Sequence, residues 1–113
     1  MRAPEEKLLD ILEAVARIER YTSEGRSRFD QDELIQTWVI YHLQTIGEAA
    51  ARLKADFKQE HPEIPWSRYV AMRNILVHEY FGIDRDKVWR VVERDLPPLK
   101  ASMRKLLGDK GPR

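Results

Sequence analysis

Apolar residues recur at Leu8, Ile11, Leu12, Val15 and Ile18, with Tyr21 loosely on the same line. Steps of three and four predict a helix with one buried stripe. Pro4 suits its first turn, where a missing N–H costs nothing. The polar stretch Thr22–Ser27, with Gly25 inside it, predicts a loop. Asp30 followed three places on by Glu33 has the form of a capping box. A long stripe follows: Leu34, Ile35, Trp38, Val39, His42, Leu43, Ile46, Ala49, Ala50, Leu53 and Phe57. One helix of about 28 residues would span ~42 Å and act as the spine of the fold. Gly47 lies inside it at a cost of about 1 kcal/mol relative to alanine, which a close approach by another backbone would offset.

His61-Pro62-Glu63-Ile64-Pro65 ends that helix with a stiff connector. Pro65 can open the next helix, which carries Trp66, Tyr69, Val70, Ile75, Leu76 and Val77 and stops before Gly82. Asp84 reads as an N-cap, with Val88, Val91 and Val92 on one face. Pro97-Pro98 break or kink this segment, and Asp95 can cap a last helix from Leu96 to Leu107. No stretch alternates with period two around a hairpin turn, and no repeat is visible. The expected architecture is all-α: an antiparallel bundle of four to five helices, one domain over residues 1–107, with a polar tail at 108–113.

Charge narrows the partners. The 113 residues hold 20 Lys+Arg against 19 Asp+Glu, a net +1, which excludes a strongly basic nucleic-acid coat and an acidic tail. There is no cysteine, hence no disulfide, thiolate metal site or thiol nucleophile. No two histidines stand at helical metal-ligand spacing, so neither metal nor cofactor is expected. No apolar run approaches the ~20 residues that span a bilayer. The opening Met1-Arg2-Ala3-Pro4-Glu5-Glu6 turns acidic at once, unlike a signal peptide. Together these favour a cytoplasmic protein.

Chemistry concentrates in Arg73-Asn74-Ile75-Leu76-Val77-His78-Glu79-Tyr80. On an ideal helix Asn74 and His78 share a face, as do Arg73 and Tyr80. Arg73 and His78 are about 140° apart, so they converge only through arginine's reach, unwinding near Gly82, or a second protomer. Histidine exchanges protons near neutrality, and a guanidinium matches phosphate oxygens. This pair suits metal-independent RNA cleavage, in which a ribose 2′-hydroxyl attacks the adjacent phosphorus. The same residues also describe a plain capped helix end.

The octet resembles the Arg-x4-His-x-Tyr motif of HepT-like toxins in the HEPN superfamily. Ile46-Gly47-Glu48-Ala49-Ala50, His61-Pro62-Glu63-Ile64-Pro65-Trp66, Val88-Trp89 and Asp95-Leu96-Pro97 are similar to that family in order and spacing. The resemblance covers roughly residues 5–107. It implies a homodimeric helical bundle whose two motifs line a shared cleft, acting as an endoribonuclease toxin on mRNA or tRNA. It implies Arg73 and His78 as catalytic residues, with Asn74 in the polar place after the arginine. Its implied partner is a cognate minimal nucleotidyltransferase antitoxin that transfers AMP to Tyr80. The alternative is a non-catalytic nucleotide-binding or transferase-docking module.

Other residues are expected to be structural. His42 lies on the apolar stripe and should be a hydrogen-bonded core or interface histidine, and His61 a turn residue. Glu48 either orients Arg73 or His78 or joins a salt bridge. Trp38, Trp66 and Trp89 read as core or interface packing. Glu79 reads as an outward-facing carboxylate. Arg85, Lys87, Arg90 and Arg94, then Lys100, Arg104 and Lys105, are interleaved with acids and read as solvated faces.

Overall fold

The computed structural model describes residues 4–75 and 84–108. Among these the chain is all-α. It begins with α1 (Pro4–Thr22), which puts Leu8, Ile11, Leu12, Val15 and Ile18 inward as their spacing requires. The predicted loop is shorter than expected. Only Ser23–Gly25 separates α1 from a short helix α2 (Arg26–Gln31), whose one fully buried residue is Phe29. Gly25 turns the chain with φ +91°, a conformation that L side chains rarely adopt.

The helix α3 (Glu33–Arg52) starts two residues later than the capping-box pattern indicated. Asp30 sits within α2, and Asp32 is the true cap, its Oδ1 accepting from the backbone N–H of Leu34 at 3.0 Å and of Ile35 at 3.3 Å. The amide of Gln36 is buried and donates to the carbonyls of Phe29 (2.9 Å) and Asp30 (3.2 Å), fastening α2 to α3.

The expected single spine is interrupted. Leu53 turns extended (ψ 139°), and a separate short helix α4 (Ala55–Gln59) follows. Lys58 Nζ donates to the carbonyl of Ala50 at 2.9 Å, supplying a partner at the C-terminal end of α3. The break is invisible to periodicity because Leu53 still buries and Phe57 still packs on the core.

The connector behaves as predicted. Pro65 precedes α5 (Trp66–Val70), and its carbonyl accepts from Arg68 and Tyr69. The Trp66 indole N–H donates to the His61 carbonyl at 3.1 Å. The predicted helix does not run on unbroken after Val70, and residues 76–82 of it lie outside the described residues. A 3-10 turn at Ala71–Asn74 follows α5, and Ile75 is extended (φ −75°, ψ 118°).

Beyond the undescribed segment, Asp84 caps α6 (Arg85–Arg90), its Oδ1 accepting from Lys87 N–H at 3.0 Å. A π turn at Val91–Asp95 joins α6 to α7 (Leu96–Leu106). Pro97 and Pro98 therefore do not break a helix but stand in the first turn of α7, where no N–H is missed. Asp95 precedes α7 as expected, yet its side chain does not cap it. It lies 3.5 Å from Arg68 Nη1, tying the joint to α5. Gly108, with φ +62°, donates to the Lys105 carbonyl and closes α7. The rest of the predicted tail lies outside the described residues.

The buried side chains form one cluster drawn from every helix but α4. Tyr21, at the end of α1, stacks on Trp38 and His42 in the first half of α3, as an antiparallel pair with a short connection requires. Leu96, Leu99 and Met103 bury from α7, and Lys100 reaches Glu19 of α1 at 3.2 Å. Two members of the predicted stripe are exposed, Leu34 at 72% and Trp38 at 46%, and Ile35, Ala49 and Phe57 are half-buried.

Candidate functional site

The site is built where the 3-10 turn passes over α3. Gly47 lets that crossing happen. A Cβ there would fall on the backbone nitrogen of Arg73 and lie 2.7 Å from its Cβ and 2.8 Å from its Cα. The close backbone approach anticipated for this glycine is thus made by Arg73 itself. One helical turn away, Gln44 Nε2 donates to the carbonyl of Ile75 at 2.6 Å. Met72 and Ile75 are buried on either side of Arg73 and Asn74, which are both exposed. Apolar anchors thus hold the backbone while the two polar side chains face solvent. Among the described residues, no ion pair involves Arg73.

His78, Glu79 and Tyr80 lie outside the described residues. The expected shared face of Asn74 and His78 therefore lies outside the described residues, which end here in a 3-10 turn and an extended Ile75.

His42 is buried as expected, but its Nε2 has no hydrogen-bond partner. Its ring stacks on Trp38 at 5.7 Å and meets the edge of Tyr41 at 5.1 Å. Burial lowers its pKa, the Arg17 cation lowers it further, and Glu13 opposes both weakly. These aromatics border an open groove of about 510 Å³ between α1 and α3. Glu48 also lines it, 4.0 Å from Arg52 one turn on, so the salt-bridge expectation holds and contact with Arg73 does not. His61 sits in the connector against Phe57, its Nδ1 3.9 Å from Glu63. Trp66 is core and Trp89 packs on Phe29 at 5.3 Å, but Trp38 is largely exposed. Among the described residues, no three His, Asp or Glu gather as metal ligands.

A model of the HepT-like ribonuclease family matches residues 11–106. The chain belongs to that family. It is 42% identical over 106 residues to a Thermococcus cleftensis protein named "probable ribonuclease HepT", covering 93% of this chain and 96% of the relative. A Methanocaldococcus jannaschii protein named provisionally as an RNase is 38% identical over 94 residues, covering 82% and 86%. Another from that organism, named for a gamma-glutamylcyclotransferase together with such an RNase, is 37% identical over 98 residues, 86% of this chain and 44% of the relative. No solved structure matches.

In this HepT-like chain polar contacts tie α2 to α6. Arg26 of α2 pairs with Asp86 and with Asp30, and holds the Asp86 carboxyl below its ordinary pKa through their hydrogen bond. Arg85 donates to the Asp30 carbonyl at 3.0 Å. No described helix is long and apolar enough to cross a membrane.

The residues that sequence reasoning missed are Gln36 and Gln44. Each stands at the border of the apolar face of α3, where a polar residue reads equally well as surface. The available signal was Gln44 lying one turn before a glycine that already required a close neighbour.

Proposed function

We propose that this HepT-like protein is a metal-independent endoribonuclease and the toxin of a toxin–antitoxin pair. One observation carries the reading: the family match spans nearly the whole chain, which retains Arg73-x4-His78-x-Tyr80 with Arg73 exposed on a firmly packed turn. The reaction is transesterification of single-stranded RNA. His78 takes the proton of a 2′-hydroxyl, the 2′-oxygen bonds to phosphorus, and the P–O5′ bond breaks. A second His78, from a partner protomer, protonates the leaving 5′-oxygen, and a 2′,3′-cyclic phosphate remains. Arg73 stabilises charge gathering on the phosphorane oxygens, and Asn74 supplies a further hydrogen bond. Tyr80 is the acceptor for AMP delivered by a minimal nucleotidyltransferase antitoxin: its phenolic oxygen bonds to the α-phosphorus of ATP and pyrophosphate leaves. The added phosphate competes with RNA for Arg73.

The face of α3 supports a homodimer. Leu34, Trp38, Tyr41, Thr45, Glu48 and Arg52 repeat at intervals of four and three, the spacing of a helix–helix seam. Leu34 is 72%, Trp38 46% and Tyr41 56% exposed. Gln44, which holds Ile75, is about 60° around the helix from Tyr41. Two copies meeting along this seam bring both Arg73-bearing turns to the borders of one interface.

The test is cleavage of single-stranded RNA by the purified protein in EDTA. Wild type cleaves and leaves cyclic phosphate ends, while His78→Ala and Arg73→Ala do not. Intact RNA with wild type and His78→Ala alike would sink the nuclease reading. Incubation with the transferase and ATP adds AMP to Tyr80, and Tyr80→Phe takes up none.

A further inference from the structure

Two residues of α3 reach the turn that carries Arg73 without themselves belonging to the motif. From these contacts we infer that Gln44 and Gly47 are positioning residues for Arg73, an inference that rests on the ribonuclease reading above. They stand three residues apart, on adjacent turns of one face. Gly47 sets how closely the backbone of Arg73 lies against α3, since any Cβ at 47 would occupy the place of the Arg73 nitrogen. Gln44 sets where the chain leaves the turn, since its amide holds the Ile75 carbonyl at 2.6 Å. The bond is half-buried, and Ile75 and Met72 are buried beside it, so water does not readily replace it. Arg73 and Asn74 lie between these two fixed points. The 3-10 turn is four residues long, with the Ile75 N–H donating to the Met72 carbonyl at 3.2 Å at its end, and so short a turn does not hold its own direction. Direction therefore comes from α3. The guanidinium is aimed by a glycine and an amide that never touch RNA.

The experiment compares wild type with Gln44→Leu, Gln44→Glu and Gly47→Ala in RNA cleavage, with amide hydrogen exchange of residues 73–75 measured alongside. Gln44→Leu keeps the size and loses the donor. Its kcat falls up to about 100-fold, the effect of a misplaced catalytic group, while KM stays within about twofold. Gln44→Glu is equally impaired at neutral pH. It recovers relative to wild type as the pH falls into the carboxyl range, because a protonated carboxyl donates to the Ile75 carbonyl again. Exchange at 73–75 accelerates in Gln44→Leu and Gly47→Ala while exchange in α1 is unchanged. If wild type cleaves and both Gln44 variants match it at every pH, the positioning role is overturned and the nuclease reading stands. If wild type does not cleave, the nuclease reading falls, and unaltered exchange at 73–75 in Gln44→Leu overturns the positioning role by itself. Should Gly47→Ala fail to fold, the Gln44 variants decide.

Discussion

Replacing Trp38 by lysine tests the seam on α3. A buried tryptophan covers on the order of 200 Å², and Trp38 leaves 46% of its surface open. Each copy therefore offers roughly 100 Å² to a partner, and the two-fold pair offers roughly 200 Å². At about 25 cal/mol per Å², that area contributes ~5 kcal/mol to association. Interfaces return only part of such a figure, because ordering side chains and desolvating polar groups offset it. Half of it still weakens the dimer about 60-fold. The assay is sedimentation equilibrium across a concentration range, with the melting temperature as a control for the protomer. Trp38→Lys should dissociate at concentrations where wild type is dimeric, and RNA cleavage per protomer should become concentration-dependent. An unchanged dissociation constant, with the fold intact, would refute the assignment of this stripe as the seam.

Gln36→Leu removes two hydrogen bonds to the end of α2, so thermal melts should show a loss of about 2 kcal/mol. Asp32→Ala removes the cap of α3 and should cost about 1 kcal/mol, read by urea titration. Burial lowers the folded pKa of His42 below its ordinary 6.5. The unfolded chain therefore binds the proton more readily, and the stability present above about pH 6.5 should be lost progressively as pH falls below it. Melting temperature against pH should show that slope, and His42→Phe should flatten it.

The parts of the fold that were legible are those where local chemistry and long-range packing agree. The apolar spacing of α1, the cap at Asp84 and the proline entry to α5 all survive intact. Gly47 was legible in kind, as an unfavourable helix residue needing a neighbour, though not in the identity of that neighbour. What escaped is what tertiary contacts decide. Leu53 and Phe57 keep the helical rhythm across a break that contains no glycine or proline. The run Ile75-Leu76-Val77 looks like helix continuation, but Ile75 is held extended while Gln44 bonds its carbonyl. Trp38 reads as core or interface because it is aromatic and in phase, and the sequence does not separate the two; it lies on the flank of the stripe and stays open. Arg73 and Asn74 were singled out as candidates through their family-like context. No property of an isolated Arg-x4-His spacing would have selected them, and the structure adds how their turn is held.

The twenty residues of α3 divide their sides among separate tasks. One side fills the interior with Val39, Leu43, Ile46 and Ala50. Another grips the turn at Arg73 through Gln44 and Gly47, and the remaining side carries the open aromatic stripe. Saturation mutagenesis should therefore find α3 the least forgiving helix in the chain. By contrast α1, exposed at Glu5, Leu9, Glu13, Ala16 and Arg20, should absorb change along its whole outer side. Variation among functional descendants of this gene would then accumulate on α1 and spare its neighbour.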